Sequence, residues 1–381
     1  MTPHYTRTLG KEEKQQLDAL YDYLSDARGR HAGYPCNESF DYSELYRFLE
    51  FSINNVGDPF HDTNFQLNTH EIEREMVHTF AKLMRAPQGA YWGYINNGGT
   101  EGNFYGLYLA RELMRTGTVY FSEDTHYSVP KILRVLGMRN IMIKCTGSGE
   151  MDYDDLRESI RIHRDVPPII IANIGTTMSG AVDDIVAIRD IFKEFSISRS
   201  YIHCDAALSG PILPFVDDPQ PFGFDHGIDS IAISGHKLIG GPIPCGVVLT
   251  KREHVDQIAR GVEYVGVLDT TITGSRNAFT PLLLWYAFKR YGEEGFRKIV
   301  KDALALADYT ITQLKHCNVE AWRNKNSITV VFPKPSVAIT RKWQLASKGD
   351  IAHIVTLPHL TTKIIDKIVK RICNDLKSKG D

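Results

Sequence analysis

The segment Pro168-Ile169-Ile170-Ile171-Ala172-Asn173-Ile174 (PIIIANI) decides the fold class. Its β-branched apolar run lacks polar alternation, the pattern of a strand covered on both faces in a parallel sheet. Working outward, strand-like runs recur at Thr118–Phe121, Ile141–Lys144, Tyr201–Cys204, Ser230–Ser234 and Gly246–Thr250. Amphipathic stretches at about 127–136, 152–162 and 183–195 lie between them, and Phe104, Leu107, Ala110 and Met114 mark an earlier helix face. This alternation predicts an α/β domain with a mostly parallel sheet. Pro211, Pro214, Pro219 and Pro221 predict a loop over 211–225.

Beyond about residue 275 the pattern changes. A helical region from about 280 to 316 leads into strand candidates Ile328–Phe332 and Ile351–Leu357. A closing helix carries Ile364, Ile365, Ile368, Val369, Ile372 and Leu376 on one stripe. The expected organisation is an aromatic-rich N-terminal arm over 1–60, a large domain over 61–275 and a smaller α+β domain over 276–381.

Composition narrows the function classes. The 381 residues carry 44 Lys+Arg against 46 Asp+Glu, a net charge of −2, which makes no electrostatic case for nucleic acid or an anionic membrane as partner. The longest strictly apolar run, Leu282–Phe288, falls far short of the roughly 20 residues that span a bilayer. The first thirty residues are polar and charged, without a signal-peptide stretch. The six cysteines contain no C-x-x-C pair and sit mostly in apolar segments, as reduced thiols do. A cytoplasmic location is therefore expected.

Four motifs carry chemistry. Ser234-Gly235-His236-Lys237 follows a strand directly, and an amine that is partly buried beside another cation is a nucleophile suited to Schiff-base chemistry; the plain alternative is a lysine in a surface loop. His203-Cys204-Asp205-Ala206-Ala207 ends another strand, where a carboxylate followed by small residues leaves room for a flat ring. Asp205 otherwise reads as a helix cap and His203 as a core histidine, and no further ligands make a metal site of the pair. Asn97–Asn103 (NGGTEGN) opens a helix, so Gly99 and Thr100 offer an anion cradle or merely a capped turn. Thr125-His126-Tyr127-Ser128 places a histidine just past a strand, where it can stack on a planar ligand or serve as a structural side chain. Rossmann and P-loop signatures are missing. Together the four pieces suit pyridoxal 5′-phosphate: phosphate at Gly99–Thr100, ring nitrogen at Asp205, ring face at His126, aldehyde at Lys237.

These motifs, with Asn173–Thr177 (NIGTT), resemble the group II pyridoxal-phosphate-dependent amino-acid decarboxylases. Within that family the resemblance runs to the bacterial enzymes that act on histidine, over nearly the whole chain, including Phe51–Pro59 (FSINNVGDP), Phe215–Phe222 (FVDDPQPF), Thr271–Asn277 (TITGSRN) and Trp322–Pro333 (WRNKNSITVVFP). The resemblance implies fold type I, with a seven-stranded, mostly parallel sheet and a smaller α+β C-terminal domain. It implies that Lys237 carries the cofactor as a Schiff base, that Asp205 holds the ring nitrogen protonated and that His126 stacks on the ring, near substrate. Ala207 would pack beneath the ring, while Ser234, His236, Gly99 and Thr100 would bind phosphate. Thr176 or Thr177 would approach the ring hydroxyl. Gly274 and Ser275 would reach a neighbouring subunit's cofactor, and Tyr34 and Asn64 are candidate substrate contacts. The implied reaction is α-decarboxylation of L-histidine to histamine, with L-serine, whose plant decarboxylases share the ligand-facing motifs, as the alternative substrate. An aminotransferase or lyase on the same fold, and a non-catalytic binding protein, are more distant readings. The implied assembly is a homodimer or a homotetramer, with the arm lying across the partner.

Overall fold

A computed structural model describes residues 8–262 and 267–378. The chain opens with α1 (Lys11–Arg28), a 3-10 segment at Ser43–Glu50 and α2 (His70–Leu83). The large sheet then builds through β1 (Tyr91–Asn96), α3 (Gly99–Leu113), β2 (Thr118–Ser122), α4 (Ser128–Leu136), β3 (Arg139–Ile143), α5 (Tyr153–Ile162), β4 (Pro168–Asn173), α6 (Ile185–Glu194), β5 (Tyr201–Asp205), β6 (Ser230–Ser234) and β7 (Gly246–Lys251). After α7 (Arg252–Asp256) and the hairpin of β8 (Arg260–Val262) and β9 (Val267–Asp269) comes the long α8 (Phe279–His316). The chain closes with β10 (Thr329–Pro333), α9 (Val337–Lys342), β11 (Ala346–Lys348), β12 (Ile351–Val355) and α10 (Thr362–Lys377).

Seven strands form one sheet in the order β1-β7-β6-β5-β4-β2-β3, in which β7 alone runs against the others. The expected parallel α/β sheet is therefore present. Its β4 shows why the opening segment was informative: Ile169 and Ile171 join one apolar cluster with Tyr105 and Leu109 of α3, while Ile170 and Ala172 join the other with Ile188 of α6. Successive side chains point to opposite faces, so a strand between two helical layers must be apolar throughout. Asp152 and Asp184 begin α5 and α6 by accepting two backbone N–H bonds each. The 211–225 segment is a loop containing the short 3-10 turn Leu213–Phe215.

A three-stranded antiparallel sheet, β10-β12-β11, carries the C-terminal core with α10. The helix anticipated from 280 to 316 is interrupted at Gly292 (φ 63°, ψ −178°). Leu282, Leu283 and Ala303 pack in the large core, whereas Ala307 and Leu314 join the C-terminal core, so α8 ties the two together. Cys317, just past α8, is disulfide-bonded to Cys373 of α10, with a Cα separation of 6.1 Å. That departs from the expectation of reduced thiols, because folding sets two helices side by side that sequence separates; Cys36, Cys145, Cys204 and Cys245 are free.

The first 60 residues are more ordered than their sequence pattern suggests, although the first seven lie outside the described residues. Helix α1 buries none of its side chains. Residues 31–38 are anchored firmly: Ala32 and Gly33 donate to the carbonyls of Trp343 and Gln344, and Asn37 donates to the carbonyl of Lys237 (3.2 Å). The sequence also gave no warning of α2 and β1, which meet at a buried ion pair. Glu73 of α2 pairs with Arg276 and also accepts from Ile95 N (2.8 Å) and Asn55 Nδ2 (2.7 Å), while Arg276 Nη2 donates to Gly57 O (2.9 Å). This cluster clamps residues 54–58, α2, β1 and the start of the C-terminal region. Truncating one member of such a pair strands a buried charge, so Glu73→Ala should lower unfolding free energy by about 3–5 kcal/mol in urea denaturation. A loss below about 1 kcal/mol would mean that the pair is not a structural clamp.

Candidate active site

The strands β4, β5 and β6 end together, and ligands in open α/β sheets sit beyond the carboxyl ends of the strands. A cavity of about 270 Å³ opens there. Its wall includes Lys237, Asp205, His126, Ala207, Ser234, His236, Gly99, Thr100, Thr176 and Thr177, so the structure brings together every residue expected to hold the cofactor within one chain.

Helix α3 supplies one wall. Gly98 precedes it at φ 115°, a backbone conformation that suits glycine, and Gly98, Gly99 and Thr100 line the cavity at the first turn, where helix N–H groups have no intrahelical acceptor. A Cβ on Gly99 would lie 3.0 Å from Ala207 Cβ and 3.2 Å from Ser234 Oγ, so a side chain would fill the cradle. Helix N–H groups, the helix dipole and the Ser234 hydroxyl give this corner the donors that an anion such as the expected phosphate would need. His236 borders it, with Nδ1 against the backbone of Cys245 (2.9 Å to O, 3.2 Å to N) and a pKa lowered chiefly by burial.

Opposite the cradle, Asp205 is buried at the end of β5, where Oδ1 accepts from Ala207 N (3.2 Å) and Oδ2 from Asn103 Nδ2 (2.7 Å). Lys237 follows β6, its side chain still partly open to the cavity. Surrounding protein lowers its pKa by desolvation, an effect opposed by Asp205 and Cys36. Backbone bonds from Gly240 and Asn37 to the Lys237 carbonyl fix the loop. His126 lies past β2, with Nδ1 2.7 Å from Ser128 Oγ. Burial pulls its pKa below the ordinary imidazole value, so the ring is neutral at neutral pH.

Several supporting residues were not singled out by sequence reasoning. Asn173 lines the cavity and donates through Nδ2 to Ser122 Oγ (3.1 Å), Thr125 Oγ1 (3.1 Å) and Asp183 Oδ2 (2.8 Å), which sets the loop bearing His126. Asp183 is fully buried behind it, its pKa pushed up to about 6 by desolvation. Asn103 stands one helical turn past Gly99, on the face that meets the sheet; that spacing was the available signal. His203, read as a core histidine or half a metal pair, is fully buried and bonded to Asn103 and Ser230. Among the described residues no group of three or more His, Cys, Asp or Glu is placed to hold a metal ion.

The two threonines differ. The Thr176 hydroxyl is engaged within its own loop, by Ser179 Oγ (2.9 Å) and Ala181 N (3.0 Å), whereas Thr177 is exposed in the cavity wall. Tyr34 and Asn64 are exposed and lie outside the cavity of their own chain. Residues 32–37 are held against the C-terminal sheet and the Lys237 loop, and Tyr34 is not among the residues that line the cavity. Gly274 and Ser275 are also absent from this wall; Ser275 Oγ accepts from Asn54 Nδ2 (3.1 Å).

An amine of lowered pKa, a carboxylate and an imidazole around an anion cradle at the end of a parallel sheet define a pyridoxal-phosphate enzyme of fold type I. The residues present fit that cofactor in shape and in donor chemistry. Residues 61–333 match the family model described as the pyridoxal-dependent decarboxylase conserved domain. The chain is 47% identical to a histidine decarboxylase of Morganella morganii, covering 97% of this chain and 98% of that one. It is 48% identical to a histidine decarboxylase of Vibrio campbellii, covering 97% and 96%. The solved L-methionine decarboxylase of Streptomyces sp. 590 superposes with a TM-score of 0.88 at 25% identity, covering 98% and 97%. The chain belongs to the pyridoxal-dependent decarboxylase family.

The buried His203 sets a pH dependence. Its pKa is lowered from 6.5 to about 4 by burial, so the native state binds fewer protons than the unfolded chain between those values. Stability is fully supported above about pH 6.5 and is lost as pH falls through 4, by up to about 3 kcal/mol from this residue. Urea denaturation across that window should show a shallower pH slope in His203→Gln, by up to about one proton. An unchanged slope would refute the assignment.

Proposed function

We propose that this protein removes the α-carboxylate of L-histidine, giving histamine and carbon dioxide, as a cytoplasmic homodimer. One observation carries the reading: Lys237, Asp205, His126 and the Gly99–Thr100 helix start line one cavity in a chain 46–48% identical, over nearly its whole length, to histidine decarboxylases.

Bound in the cavity, pyridoxal 5′-phosphate would supply an amine-reactive aldehyde and, in its protonated ring, an electron sink suited to decarboxylation. The protein's residues make that chemistry selective and fast. The first amides of α3, Ser234 and His236 hold the phosphate. The Asp205 carboxylate accepts the ring N–H and favours the protonated ring. Lowered pKa makes Lys237 Nζ a better nucleophile and a carrier of exchangeable protons. Neutral His126 offers its ring face without adding positive charge beside the reacting centre. Lys237, His126 and Tyr127 line the cavity as groups able to return a proton to Cα.

Two features support a dimer. The cavity, about 270 Å³, lies below the ~300–1,000 Å³ usual for sites of drug-sized ligands, and here it must admit cofactor and substrate together. Most exposed large apolar side chains among the described residues precede residue 70, including Leu17, Leu20, Tyr21 and Leu24 on α1, together with Leu49, Phe51 and Phe65. An apolar strip on a helix that buries none of its own side chains suits a second copy, which then closes the cavity. On this reading Tyr34, Asn64, Gly274 and Ser275 act on the partner's site.

Purified protein supplied with pyridoxal 5′-phosphate should form histamine from L-histidine in preference to ethanolamine from L-serine, measured by product chromatography. Lys237→Ala should reduce histamine formation by about a thousandfold or more and remove the borohydride-fixed cofactor. Normal turnover in that variant, or ethanolamine as the main product, would sink the proposal. In a separate measurement, Leu20→Glu with Leu24→Glu should shift the protein to monomer in sedimentation and abolish activity together. An active monomer would exclude a shared site.

A further inference from the structure

Behind Asp205 lies a chain of buried polar groups that the reaction as described does not use. Tyr201 O–H donates to Ser230 Oγ (2.9 Å), and Ser230 Oγ lies 2.7 Å from His203 Nδ1. His203 Nε2 lies 3.0 Å from Asn103 Oδ1, and Asn103 Nδ2 donates to Asp205 Oδ2 (2.7 Å). All five residues are buried. The direction of every bond follows from the ends. A carboxylate accepts, so Asn103 turns its amide nitrogen to Asp205 and its carbonyl to His203. His203 must then carry its proton on Nε2 and accept at Nδ1, from a Ser230 hydroxyl that itself accepts from Tyr201. Five groups thus form a one-way series of donors that ends on the carboxylate facing the cavity, and bonds aligned in this way polarise one another.

The backbone is shaped around this series. A Cβ on Gly106 would lie 2.2 Å from His203 Nδ1 and 2.4 Å from Cε1, so any residue but glycine there would displace the ring. A Cβ on Gly102 would lie 2.6 Å from Ala232 Cβ. The two glycines, one helical turn apart, press α3 onto β5 and β6 closely enough for Asn103 to reach Asp205 and His203 at once.

We propose that Asn103 and His203 are positioning residues for the cofactor: they fix the orientation of the Asp205 carboxylate toward the ring nitrogen, with Ser230 and Tyr201 setting the His203 tautomer. The inference rests on Asp205 being the partner of that nitrogen. Without Asn103, the carboxylate loses its shortest donor and turns more freely, so the ring is held less well and accepts electrons less well.

The test uses full-length protein stripped of cofactor and titrated with pyridoxal 5′-phosphate, followed by absorbance and circular dichroism of the cofactor band. Asn103→Ala, which faces the cavity, should weaken cofactor binding about tenfold to a hundredfold, the range expected for a lost charge-assisted hydrogen bond. Its visible band should shift or lose dichroism, and under saturating cofactor kcat should fall at least about tenfold with KM for histidine within about threefold. His203→Phe should reproduce these changes, His203→Gln should restore much of the parent behaviour through its amide donor, and Tyr201→Phe should have the smallest effect. Parent-like binding, spectrum and kcat in a folded Asn103→Ala would overturn the proposal. So would changes matched by an equal loss of melting temperature in the cofactor-free protein, since those mark a structural role. If Asn103→Ala does not fold, Asn103→Ser is read by the same criteria. Failure of the unaltered protein to bind cofactor would instead overturn the assignment of the cavity.

Discussion

The structure depends on how closely α3 approaches the sheet. Gly102 and Gly106 leave no side chain between the helix and strands β5 and β6, and the gap they close is too narrow for even one methyl group. Once the helix is seated at that depth, its N-terminus lies beside Ser234 and Ala207, its second turn reaches Asp205, and Tyr105, Leu107 and Leu109 further along it pack into the core. Cradle, carboxylate and core are consequences of one packing distance. Close-packed interiors transmit such constraints because they have no slack to absorb a shift.

The electrostatics follow from where the strands end. β5 and β6 deliver an acid and an amine to the same cavity, and burial moves the basic groups there toward neutrality. Lys237, His126 and His236 all have lowered pKa values with desolvation as the leading cause, and Asp205 opposes the shift at Lys237 and at His126. A site held this way meets an anionic cofactor with preorganised donors rather than with a high density of cations. The near-neutral charge of the whole chain is compatible with a small zwitterionic substrate, whose capture relies on local groups.

Anchoring of residues 31–38 joins the remaining parts. The segment bonds to the C-terminal sheet through Ala32 and Gly33 and to the Lys237 loop through Asn37, so three distant stretches of chain define one edge of the site. Helix α1 extends from this anchor with its apolar side exposed. The arrangement leaves the cavity wall built largely by the sheet while its surroundings depend on segments that begin and end elsewhere in the fold.

Much of this was legible in the sequence. The unbroken apolar run of β4 announced a doubly covered strand, and Lys237, Asp205, Gly99 and His126 were each recognisable because strand ends and helix starts leave local marks. The same locality explains what was missed. Asn103 lay within a quoted motif yet had no role until β5 was set against α3. His203 looked like a core histidine because only the fold places it between Asn103 and Ser230. Glu73 and Arg276 are separated by two hundred positions, and nothing near either announces the other. Cys317 and Cys373 read as free thiols for the same reason. The sequence by itself determined six of the seven strands of the large sheet, the helices between them and the type of residue the site would use, since those depend on residues a few positions apart. Only the tertiary structure decided which polar groups support Asp205, which threonine hydroxyl is free and which side chains stand outside the cavity, because each depends on a distance between segments that the chain brings together only by packing.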